Sequence, residues 1–210
     1  MIPELLEAVI EKYDSDEIRI YIDRTDFTQI DGIVEFTLIV DEFEEQVKQE
    51  WKVRIKNPIV SVVSNEIQNR LQIFDHHPLL LEYKDQECSL YFSGKCSNPE
   101  LLFVDLYQSH FDQCANYIHF SNYINNPPDF MSLLKVGYGL LAEGPKSLMQ
   151  LYATQLQKHN VSYNLMGSRQ PKYWDGNEYQ KISPEVRLLF LGKAYFIGDQ
   201  FDFEERTNLG

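Results

Sequence analysis

From Ile18 to Ile55 the apolar residues recur at every second position, and this period of two constrains the fold more than any other feature. Ile18, Ile20 and Ile22 share one face, with Arg19, Tyr21 and Asp23 opposite. After a turn at Asp31-Gly32, Val34, Phe36, Leu38 and Val40 repeat the pattern. A third run places Val47, Trp51, Val53 and Ile55 inward and Lys48, Glu50, Lys52 and Arg54 outward. Consecutive half-polar strands joined by short turns make an antiparallel meander with one wet face. The basic row on the third strand is expected to face acids on its neighbours, because opposite charges across strands are mildly stabilising. Asp41-Glu42-Phe43-Glu44-Glu45 reads as the loop between the second and third strands.

Helical signals surround this core. Pro3, the acids Glu4 and Glu7, and the stripe Leu5, Leu6, Val9, Ile10 and Tyr13 predict an N-terminal helix. Asn98-Pro99-Glu100 predicts a helix start, followed by Phe103, Leu106, Tyr107, His110 and Cys114 at helical spacing. Gly144-Pro145 opens a further helix that ends near His159-Asn160, whereas residues 130–141 fit either a helix or a buried strand. Leu79–Tyr83 and Ser89–Ser93 read as a hairpin, residues 167–176 as a loop, and Val186–Leu191 with Ala194–Phe203 as a C-terminal hairpin. The prediction is an α+β fold, largely antiparallel, with three or four helices. Asn125-Asn126-Pro127-Pro128 is the strongest breaker, so the expected division is a β-rich part over 1–125 and an α+β part over 126–210, packed as one globular unit.

Charge is distributed unevenly over this frame. Residues 1–45 hold fourteen Asp and Glu against Lys12, Arg19 and Arg24, out of a chain total of −13. Residues 46–198 are near neutral, and the segment from Asp199 adds four acids against Arg206. A pI near 4.8 without a basic run argues against direct nucleic-acid binding, since affinity for phosphates comes from clustered Lys and Arg. The N-terminus lacks the pattern of a signal peptide, and no apolar run is long enough to span a bilayer. Cys88, Cys96 and Cys114 match no metal-binding spacing and suit a reducing cytoplasm, with a Cys88–Cys96 bridge as the alternative for an exported protein.

No motif with chemistry stands out. Asp75-His76-His77 combines residue types used in metal and acid–base sites, but adjacent strand residues point to opposite faces. Cys114 beside His110 fits a helical core better than a nucleophile pair. Gly137-Tyr138-Gly139 lacks the third glycine and the acid of a dinucleotide site. Glu82, the one acid inside an apolar run, would project from the wet face of a strand. No cofactor and no metal site are therefore expected.

Two cations with two adjacent aromatics in the loop Ser168-Arg169-Gln170-Pro171-Lys172-Tyr173-Trp174-Asp175-Gly176-Asn177 suit partner recognition, unless a buried Trp174 pins a surface loop with a plain Asp-Gly turn. The favoured expectation is an acidic protein-binding protein, in concrete form an immunity protein that neutralises a cationic toxin such as a nuclease. Its contact residues would be Asp41, Glu42, Phe43, Glu44, Glu45, Lys172, Tyr173 and Trp174. The alternatives are a hydrolase using Asp75, His76 or His77, and a structural or scaffold protein.

Overall fold

The computed structural model describes residues 2–13, 17–28, 30–42, 45–64, 66–67 and 69–206. In chain order, helix α1 (Glu4–Lys12) precedes strands β1 (Ile18–Asp26), β2 (Gly32–Glu42), β3 (Glu45–Lys56), β4 (Val60–Val62) and β5 (Leu71–Phe74). Helix α2 (Leu81–Lys84), strand β6 (Glu87–Ser93), helices α3 (Pro99–Cys114) and α4 (Phe130–Val136), strand β7 (Tyr138–Pro145) and helix α5 (Lys146–Lys158) follow. Strands β8 (Ser162–Arg169), β9 (Lys172–Trp174), β10 (Tyr179–Lys181), β11 (Arg187–Leu191), β12 (Ala194–Gly198) and β13 (Gln200–Glu205) complete the chain. The fold is α+β with antiparallel sheets, and the described residues include five α-helices.

Two compact units emerge: residues 1–77 with 183–210, and residues 78–182. The second is thus an insertion between β5 and β11 of the first. The breaker at Asn125–Pro128 lies inside the second unit, not at a boundary. Asn126 there takes a left-handed conformation and leads into α4.

In the first unit the expected meander forms, with strand order β1-β2-β3-β13. A second sheet has the order β4-β12-β11-β5 and contains the C-terminal hairpin. The predicted single strand Ala194–Phe203 is broken at Asp199 into β12 and β13. Across the break the pairing continues, because Asp199 N–H donates to Lys56 O and Ile59 N–H donates to Ile197 O. One long antiparallel pair therefore bends sharply between the two sheets. Gly198 permits the bend, since a Cβ there would stand 2.6 Å from Ile55 Cγ2 and 2.9 Å from the Lys56 carbonyl. Both sheets enclose one core that includes Leu6, Ile20, Phe36, Trp51, Ile55, Leu189, Phe196 and Phe201.

The wet face of the first sheet is charge-balanced, as the alternation implied. Lys52 lies between Glu35 and Glu204, Arg54 is opposite Asp202, and Lys56 reaches Asp202 at 3.5 Å. Val47 departs from the expectation and is exposed.

The second unit is a three-stranded antiparallel sheet, β7-β6-β8, with α3 and α5 packed on one face. Asn98 caps α3 by accepting the Leu101 N–H at 3.0 Å. The stripe that α3 buries is Leu102, Leu106, His110 and Cys114, one residue in every four, so Phe103 is only half-buried and Tyr107 is exposed. The ambiguous stretch 130–141 is both things in turn: α4 ends at Gly137, whose φ of +83° suits glycine, and β7 begins at once. The predicted strand Leu79–Tyr83 is instead a 3-10 turn running into α2, because Pro78 starts a helical turn that buries Leu80. The predicted loop 167–176 is largely structured as the end of β8 and the hairpin β9–β10.

Candidate functional site

Around the start of α5 the second unit carries an open groove of about 900 Å³. Its walls hold four carboxylates (Glu82, Asp85, Glu87 and Glu143), two cations (Arg169 and Lys172) and the rings of Tyr123 and Tyr179. The carboxylates are placed by α2 and its C-terminal cap and by strands β6 and β7. Glu82 sits on α2, where it accepts the Tyr123 hydroxyl at 2.8 Å. Burial, and next the charge of Glu82, push the Tyr123 hydroxyl well above the usual phenol range, so it stays a donor. Asp85 closes α2 and accepts the Ser147 N–H at 2.6 Å, placing its charge on the positive end of α5.

Glu87 and Glu143 project from neighbouring strands on the face away from the helices. Glu143 accepts the Ser89 hydroxyl at 2.6 Å, and Glu87 pairs with Arg169 at 3.3 Å. The floor depends on Gly144, where a Cβ would lie 2.6 Å from the Tyr123 ring. On the same open face the sheet continues into Tyr91 on β6, Met166 on β8 and Tyr138 on β7, all exposed. The groove thus leads from carboxylates to an apolar strip.

The hairpin β9–β10 flanks this groove. Lys172 and Tyr179 line it, and Trp174 meets Tyr179 edge-on at 5.2 Å between ring centroids. Trp174 is 56% exposed, which removes the reading in which it is buried and pins the loop. Tyr173 is half-buried on β9. Asp175 holds the turn by accepting the N–H groups of Asn177 and Glu178 and the side chain of Gln180. Those backbone donors, Glu178 first, keep the Asp175 carboxyl below its ordinary range.

The acidic segment 41–45 belongs to the first unit and differs from the expected loop. Asp41 and Glu42 end β2 and Glu45 begins β3, with Glu42 opposite Glu45. Phe43 and Glu44 lie outside the described residues. Asp41 pairs with Arg19 at 2.5 Å and accepts from Gln46, so its charge is largely matched.

Asp75, His76 and His77 do not converge. Asp75 pairs with Arg187 at 2.8 Å, His76 is exposed, and His77 packs against Phe74 and Phe190. Burial lowers the pKa of His77. Among the described residues no cluster of His, Cys, Asp and Glu has the geometry to hold a metal ion. Cys114 is fully buried on α3, with its thiol pushed up to about 11 by burial, which suits a core position and not a nucleophile.

Of the groove, only Lys172 was named as a contact in the sequence. Glu82, Asp85, Glu87, Tyr123, Glu143, Arg169 and Tyr179 come from segments spread over nearly a hundred positions, and no spacing rule links them. Comparison with protein-family models, with curated proteins and with solved structures found no match, so function must be argued from these residues alone.

Proposed function

We propose that this protein is a binding module that takes a basic protein partner on its second unit, with the groove receiving Arg or Lys side chains and the exposed hairpin supplying an aromatic anchor. The carrying observation is the excess of four carboxylates over two cations in one groove, next to the exposed Trp174–Tyr179 pair. Carboxylates at a groove wall steer cations and give specificity, while an exposed aromatic supplies contact area at little entropic cost. Tyr91, Tyr138 and Met166 on the same sheet face suit apolar residues flanking the basic ones. A cationic toxin is a concrete partner class of this chemistry. The hydrolase alternative at residues 75–77 is the less favoured reading, because Asp75 pairs with Arg187, His77 packs on Phe74 and Phe190, and His76 is exposed.

Trp174 provides the readout. Titration with a peptide that alternates Arg and aromatic residues should change its fluorescence, whereas an acidic peptide of equal length should not. Affinity should fall steeply with added salt. A Glu82→Gln/Glu87→Gln/Glu143→Gln variant should bind several-fold more weakly, and Trp174→Ala should weaken binding by about 2 kcal/mol. Equal affinity of the acidic peptide, or an unchanged affinity of the triple variant, would remove the groove from the function.

A further inference from the structure

A second arrangement in the inserted unit lies outside the groove. Cys96, in the loop between β6 and α3, places its sulfur 3.9 Å from His159 Nδ1. On the other side of the imidazole, Nε2 stands 2.8 Å from Asp105 Oδ2. The three residues come from three elements: the loop before α3, the body of α3 and the C-terminal end of α5. Ionised Asp105 can only accept, so Nε2 carries the proton and Nδ1 presents its lone pair to the Cys96 thiol. This is the geometry in which an imidazole takes a thiol proton while a carboxylate steadies the imidazolium that forms. Cys96 is partly exposed, whereas Cys88 and Cys114 are buried, with thiols raised by burial. All three cysteines are free.

Cys96 lines neither the groove nor a smaller cavity of about 560 Å³ beside Tyr107 and Phe120. Its partial exposure lets a small solvent-borne electrophile reach the thiol. Lys95 and Lys158, exposed and adjacent in sequence to Cys96 and His159, favour a negatively charged one. We propose that Cys96 is a modification site, a nucleophilic thiol that forms a mixed disulfide with a low-molecular-weight disulfide bearing carboxylates, with His159 as its base and Asp105 as the residue that positions that base. In the step, Nδ1 takes the thiol proton and the Cys96 sulfur attacks one sulfur of the disulfide. The old S–S bond breaks, and the departing thiolate takes the proton back from the imidazolium. Cys96 is oxidised to the mixed disulfide, and the released half is reduced to a thiol.

The probe is oxidised glutathione, applied to the intact protein and followed by intact mass and peptide mapping. One adduct, on Cys96, should form faster in the native protein than at the same cysteine in the urea-unfolded chain, and faster than with the cationic disulfide cystamine. His159→Gln should slow it by about tenfold or more. Asp105→Asn should slow it less, Asp105→Glu should recover part of the rate, and the ultraviolet thiolate band should follow the same order. Adducts distributed equally over the three cysteines would overturn the proposal. So would native Cys96 reacting no faster than the unfolded chain, a comparison that needs no variant to fold. Faster reaction with cystamine would overturn the preference for an anionic disulfide.

Discussion

His110 is a buried polar residue within the inserted core. It is 2% exposed, and a carbonyl can only accept, so Nε2–H must donate to Ile118 O at 2.7 Å. Nδ1 is left to accept the Tyr152 hydroxyl at 2.8 Å, and the ring is neutral with both nitrogens satisfied. Burial lowers its pKa below the ordinary 6.5. The unfolded chain therefore takes up a proton at a pH where native His110 does not. Its contribution to stability is complete well above pH 6.5 and is lost progressively as the pH falls through that value. His77 in the first unit shifts in the same direction from the same cause. Urea midpoints should therefore decline between about pH 7.5 and about pH 5.5, above the range in which carboxylates titrate. In the same window the imidazole resonances of native His110 should move less than those of histidine in the unfolded chain. A flat stability profile would contradict a neutral buried ring.

Among the elements, those signalled by local chemistry were legible. Asn98-Pro99-Glu100 announced α3 because the cap, the proline and the acid act within one turn. Replacing Asn98 by Ala should cost about 1 kcal/mol in urea unfolding, with the Leu101 amide losing hydrogen-exchange protection. The meander was legible for a similar reason, since alternation within each strand fixes which face is buried. Leu79–Tyr83 was not, because a short apolar run has no period long enough to separate strand from helix. Residues 162–169 were missed as a strand because β8 is an edge with almost every side chain exposed, which removes the apolar signal. The Cys96–His159–Asp105 arrangement was invisible for another reason: His159 follows Cys96 by 63 positions, and only the packing of α5 against α3 joins them.

At the scale of the whole molecule, charge and topology agree on two units. The first carries twenty-two acids against eleven bases, and the second ten against eight. Six of the fourteen acids of residues 1–45 lie on β1, β2 or the start of β3, in one sheet with those at 202–205, because β13 pairs with β3. Part of it is matched there by Lys and Arg, yet the first unit keeps an excess of eleven acids, while the proposed groove lies in the nearly neutral unit. The groove proposed above keeps the expected sign of the partner and differs in place from the segment 41–45 that net charge pointed to. Each unit has its own core, so residues 78–182 expressed alone should unfold cooperatively. Joining Phe74 to Arg187 through a short turn should leave a folded first unit, since Phe74 already sits opposite Leu188. Circular dichroism with urea melts of both pieces would test this, and a non-cooperative melt of either would refute it.

Because the inserted unit interrupts the first, all of it leaves the ribosome before the last strand of the first unit does. β3 waits for β13 until some 140 further residues have been synthesised, and until then Trp51 and Ile55 sit on an unpaired edge. Residues 78–182 can meanwhile complete their own sheet and helices. The newest part of the nascent chain is thus the last strand of its oldest part, and a ribosome halted before residue 200 would release a finished insert on an open, adhesive host.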